Sequence, residues 1–136
     1  MAWVDVNLEV VQNETFSKGL LFFSPPPTGT DPADEVPVDF TGATAVLSAR
    51  KGQNSTSAAV LALTSSPVLG LAFFAGANGQ GGAVPSNPNG VMITITAAQS
   101  VLLEIGVWYY DIVVMWGSTK QYVARGEFKV VGSAAR

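Results

Sequence analysis

Five aromatic residues, Trp3, Trp108, Tyr109, Tyr110 and Trp116, are the side chains best suited to hold a ligand, because flat rings suit sugar faces and tolerate water at one edge. Such residues first serve as core, next as subunit interface, and only then as a sugar platform. The one crowd of carboxylates, Asp31, Asp34, Glu35 and Asp39, falls in or beside a Pro-rich stretch. It reads as a solvated acidic loop ahead of a calcium site or a catalytic pair, since a glycosidase needs two acids a few ångströms apart in a cleft. With no His and no Cys, the chain has no Ser-His or Cys-His nucleophile, no imidazole-based zinc site and no disulfide. The Gly-rich 75–90 segment lacks both a lysine and the GxxxxGK[ST] spacing of a phosphate cradle. No catalytic, cofactor-binding or metal-ligating residue is therefore expected, and no enzyme. The triplets Asn13-Glu14-Thr15 and Asn54-Ser55-Thr56 fit the glycosylation pattern. They are set aside, because MAWVDVNLEV, broken by Asp5, Asn7 and Glu9, is not expected to act as an export signal.

The elements that would carry these residues are strands. Residues 3–10 alternate, with Val4, Val6, Leu8 and Val10 on one face and Trp3, Asp5, Asn7 and Glu9 on the other. A second strand is expected over Gly19–Ser24, then an exposed Pro-rich acidic loop over 25–37. A third strand follows Asp39, with Phe40, Ala45, Leu47 and Ala49 inward, and a turn at GQNSTS. The apolar runs 58–64 and 68–75 are expected as strands, 75–90 as a mobile surface loop, and 91–95 as a strand again. Thr96 and Gln99 form a capping box for a helix over about 97–104, with Val101, Leu102 and Ile105 as its apolar stripe and Gly106 as its end.

GVWYYDIVVMWG, residues 106–117, is too short and too interrupted by Asp111 for a membrane span of about 20 apolar residues. Apolar on both faces, it predicts a central strand covered on both sides. Asp111 there must be solvated or paired, since burial without a partner costs several kcal/mol; Arg125 on the next strand is the candidate partner. The last strand, joined by the turn WGSTK, is expected to face Tyr122, Ala124, Gly126, Phe128 and Val130 inward and Gln121, Val123, Arg125, Glu127 and Lys129 outward. Seven or eight short strands and one brief helix predict a single all-β domain over 1–136, an antiparallel immunoglobulin-like β-sandwich, with a closed β-barrel as the alternative.

Charged residues make up only 12% of the 136, against about 25% in ordinary soluble domains. Such an exterior is suited to being covered by neighbours. Residues 1–39 hold seven acids against Lys18 alone, an asymmetry that suits head-to-tail packing of like subunits rather than nucleic-acid binding.

VDFTGATAVLSAR, GVMITITAAQSVLLEIGVWYYDIVV and YVARGEFKVV, spread over residues 38–131, resemble the β-sandwich modules of bacteriophage and prophage tail and baseplate proteins, including the N-terminal domain of the baseplate upper protein family. The shared landmarks are a strand ending in DxTG, a capped helical turn, a G-x-W/Y-x-Y-D strand and a closing GxFxVV. The 75–90 loop departs from that pattern as an insertion. The resemblance implies a non-catalytic virion structural protein of the tail or baseplate. Its partners would be other virion proteins and copies of itself in a symmetric ring or lattice, without nucleic acid, membrane or cofactor. A head-decorating cement protein and a carbohydrate-binding module are the alternatives.

Overall fold

The computed structural model describes residues 4–24, 36–51, 61–66, 68–77 and 83–132. The fold is all-β, with several sheets and none closed into a barrel. The barrel alternative is thereby overturned, since the largest sheet ends on β1 (Val4–Asp5) at one side and β8 (Val68–Leu69) at the other. Its order is β1, β12 (Thr119–Val131), β11 (Gly106–Trp116), β6 (Thr44–Arg50), β7 (Leu61–Ser65), β8, with β2 (Leu8–Val11) also on β12. A three-stranded sheet orders β3 (Phe16–Leu21), β10 (Gly90–Ile95) and β9 (Leu71–Phe74), and β4 (Phe23–Ser24) pairs with β5 (Val36–Pro37). Both larger sheets contribute to one buried cluster that includes Leu8, Leu47, Ile93, Ile112 and Phe128.

Alternation decides which side chains enter that cluster, because successive residues of a strand point to opposite faces. In β6 the inward set is Ala45, Leu47 and Ala49, as the sequence predicts, and Phe40 is buried just before it. Phe40 is the hub of an aromatic group, its ring centroid 5.6 Å from Phe22, 5.2 Å from Phe73 and 5.8 Å from Trp116.

Several expectations are corrected. The predicted strand 3–10 is split into β1 and β2 at Val6–Asn7, and both pieces run parallel to β12, so the large sheet is not purely antiparallel. The predicted 19–24 strand starts earlier, at Phe16, and breaks at Phe22; 68–75 breaks at Gly70, whose positive φ of 90° turns the chain from the large sheet into the small one. The helix covers Ala97–Ser100 only. Its capping box forms as expected, but the i→i−3 bonds from Leu102 N to Gln99 O and from Leu103 N to Ser100 O tighten the next turn and end it. Leu103 is buried in place of the expected stripe, while Val101, Leu102 and Ile105 are exposed.

The β11–β12 hairpin carries an irregularity between Ile112 and Val113, where Ile112 pairs with Ala124 but Val113 with Tyr122. The extra residue, Val123, shifts alternation by one, so Val123 is buried and Tyr122 is 46% exposed, the reverse of the expected parity. β11 is central as predicted, yet no described element covers its outer face: Tyr109, Val113 and Met115 are half-buried and Val107 is 49% exposed. The acidic residues 31–35, Trp3, the GQNSTS turn and residues 78–82 lie outside the described residues.

Candidate functional site

The outward face of the large sheet is built by the register of four strands. β11 sets Tyr109, Asp111, Val113 and Met115 outward; beside them on β6 stand Arg50, Ser48, Val46 and Thr44, and on β12 Glu127, Arg125, Tyr122 and Lys120. β7 continues two rows, with Ala62 beside Ser48 and Thr64 beside Val46. The result is an apolar centre of Val46, Val113, Met115 and two tyrosines, with cations around it.

Asp111 sits in that centre. Burial pushes its carboxyl pKa up, eased by Arg50 and Lys120, so the surroundings disfavour its charge. Arg125, its expected partner, stands opposite it in register, but the Arg125 Nε donates to Asp5 Oδ1 at 3.2 Å, and the cations that ease the Asp111 charge are Arg50 and Lys120 instead.

That contact belongs to a sealed edge. Asp5 and Glu9 face Arg125 and Lys129 in register, and the second pair is 3.9 Å apart. Two of the seven N-terminal acids are thus matched within the chain, which reduces what the charge asymmetry says about neighbouring subunits. Between the pairs the N-terminal segment crosses β12 at Gly126, where a Cβ would run into the Val6 carbonyl. That carbonyl accepts from the Tyr110 hydroxyl at 2.6 Å, and the Asn7 side-chain oxygen replaces a backbone acceptor for Glu127 N at 3.0 Å. Burial, with Asp5 nearby, pushes the Tyr110 hydroxyl pKa up.

The five candidate aromatics are not brought onto one platform. Trp108 and Tyr110 are core, the Trp108 indole donating to Glu104 O at 3.1 Å; Trp116 is half-buried on Phe40; Tyr109 points to the opposite face; Trp3 is outside the described residues. Asp39 is exposed and closes a turn, its Oδ1 accepting from the Thr41 hydroxyl at 2.6 Å and the Thr41 amide at 2.9 Å. Those bonds, with one from Asn87, hold its pKa below the ordinary carboxylate value. Among the described residues no three His, Cys, Asp or Glu converge on a metal position, and no helix is long and apolar enough to cross a membrane. Asn13 lies in an exposed turn at φ 68°.

In the 75–90 segment, which the sequence predicts as a mobile surface loop, the two described ends are clamped together. Buried Asn89 accepts from Gly76 N at 2.8 Å and donates to Gly76 O at 3.0 Å, and Phe40 N donates to Pro88 O at 2.9 Å. Beside α1, Val68, Leu69, Ala72, Met92 and Thr94 line an open groove of about 490 Å³. Sequence reasoning missed both that groove and the openness of the β11 face. Alternation marks which residues share a face, but nothing in it states whether a second layer covers that face.

No protein-family model matches the chain, and no curated protein matches it.

Proposed function

We propose that this chain is a non-catalytic bacteriophage virion structural protein that assembles through protein–protein contacts in the tail or baseplate. The observation that carries the reading is the broad outer face of the large sheet, with half-buried Val46, Val113 and Met115 at its centre and charged side chains around them. An apolar centre with a polar rim is the anatomy of a surface that is covered in its working state. The ordered landmarks over residues 38–131 support the same class.

The finer architecture belongs to this proposal. In an immunoglobulin-like arrangement, β3, β10 and β9 take the places of strands B, E and D; β6, β7 and β8 those of C, C′ and C″; and β11 and β12 those of F and G. The bond from Trp108 back to Glu104 supports it, since it resembles the corner that a tyrosine makes at the start of strand F.

Mass spectrometry of purified particles is the test. The chain should be present at roughly a dozen copies for a tail or baseplate ring, and at hundreds if it decorates the head. Absence from the particle overturns the reading. A carbohydrate-binding role has less support, because the aromatics it would use are divided between the core and the outer face.

A further inference from the structure

We infer that the seam between the N-terminal segment and β12 is exchangeable: two copies of this chain trade residues 4–12, each laying that segment on β12 of the other, and dock through the corner between α1 and β11. The inference deepens the assembly reading, and rests on it in taking the partner to be another copy of the chain.

The outer edge of β12 is a receptor for one particular extended segment. Gly126 leaves the room in which the Val6 carbonyl crosses, the Tyr110 hydroxyl and Glu127 N donate to Val6 O and Asn7 Oδ1, and Arg125 and Lys129 stand in register with Asp5 and Glu9. Leu8 and Val10 enter the core from that segment. None of these contacts depends on which chain supplies the segment, so an exchanged pair makes each of them twice.

The joint behind the segment is where the two forms differ. Residues 12–15 link the end of β2 to the start of β3, and among the described residues Asn13 is the one non-glycine at positive φ, 68°. The hydrogen bonds divide there. Gln12 N donates to Val131 O at 3.0 Å and Gln12 Nε2 to Leu103 O at 2.7 Å, and both are remade on the second copy; Glu14 O accepts from Ser100 Oγ at 3.0 Å and stays behind. The bond from Glu14 N to Val11 O, at 3.2 Å, spans the joint and is given up. Extending the joint returns Asn13 to negative φ, and a short hinge under strain is the local condition that invites swapping.

Because both forms share the seam, the surface newly buried decides between them. The joint is bonded to Ser100 and Leu103, so straightening it brings the second copy against the corner between α1 and β11. There Val101, Ile105 and Val107 are exposed and Leu102 is 85% exposed, the highest value among the large apolar residues described. Covering this corner offsets the entropy of association, which the unchanged seam cannot do.

Refolded from urea at high concentration, the full chain should sediment in part as a dimer. Leu102→Asp should lower the dimer fraction with an unchanged circular dichroism spectrum. Asn13→Gly, which takes the strain out of the closed form, should lower it as well, and Asn13→Val should raise it. A chain that stays monomeric, or a dimer indifferent to all three changes, overturns the inference. Cross-linking locates the seam even if a hinge variant fails to fold, because Glu9 and Lys129 are exposed register partners and the natural sequence has no cysteine. Glu9→Cys and Lys129→Cys chains, refolded together and mildly oxidised, should give a disulfide-linked dimer several-fold above either variant alone; equal yields in all three samples overturn the exchange. The two readings separate in the particle. Exchange as described, in a chain missing from purified particles, removes the assembly reading alone. Particles assembled from the two cysteine variants that contain the chain without the cross-link remove the exchange alone.

Discussion

The two ends of the large sheet are built by opposite means. At the β12 end, a split parallel strand is fastened by register-matched ion pairs, an asparagine side chain standing in for backbone and a buried tyrosine hydroxyl. At the β8 end, a two-residue strand with Val68 and Leu69 mostly exposed leads through Gly70 into the other sheet. Fastening the first end takes many weak polar contacts, each replaceable, whereas the second depends on one backbone conformation. Failure should therefore be graded at one end and abrupt at the other.

The steepest loss is expected at Gly70. Alanine there would hold a positive φ of 90° and place its Cβ 2.6 Å from Leu63 Cδ2 and 2.9 Å from Thr94 O. Strain and overpacking together predict about 3 kcal/mol or more, read from urea denaturation. Gly126→Ala should cost less, about 1–3 kcal/mol. The crossing at Val6 can lift away, so faster hydrogen exchange at Val6 N, which donates to Arg125 O, should accompany the loss; equal costs at the two glycines would erase the contrast. Tyr110→Phe removes the hydroxyl from the Val6 carbonyl and should cost about 1 kcal/mol.

Asp111, between the two ends, should act with the opposite sign. Its folded pKa is raised, so the folded protein holds that proton more tightly than the unfolded chain does. The penalty is absent below the ordinary carboxylate pKa and complete above the raised one. Asp111→Asn should therefore raise the melting temperature at pH 7 and leave it unchanged near pH 3; a fall at pH 7 would mean the carboxylate is held ionised. The smallest effect belongs to Asp5→Asn, because both members of that pair are well exposed. Less than about 1 kcal/mol is expected, vanishing in high salt.

Much of this was legible in the residues. Alternation in TAVLSAR and the T-x-x-Q cap specify their structures locally, and both form as read. What was not legible depended on distant partners. No local signal marks the extra residue at Val123, because a bulge is a relation between two strands, and it reverses the faces that alternation predicts for Tyr122 and Val123. The helix stops early because Ser100 and Leu103 are tied to the β2–β3 turn, through Ser100 Oγ to Glu14 O at 3.0 Å and Gln12 Nε2 to Leu103 O at 2.7 Å. Composition sets the number of acids, but it does not say that Asp5 and Glu9 find their cations on β12 of the same chain.

The parallel seam between β2 and β12 also sets a condition on synthesis. Asn7 bonds to a residue 120 positions later, so a nascent chain cannot close this seam until the hairpin that carries Glu127 has left the ribosome. At about 5–20 residues per second, β2 waits roughly 6–24 s with its backbone unpaired on that side. That interval is the period in which a chaperone, or another nascent copy, competes with β12 for the same hydrogen bonds.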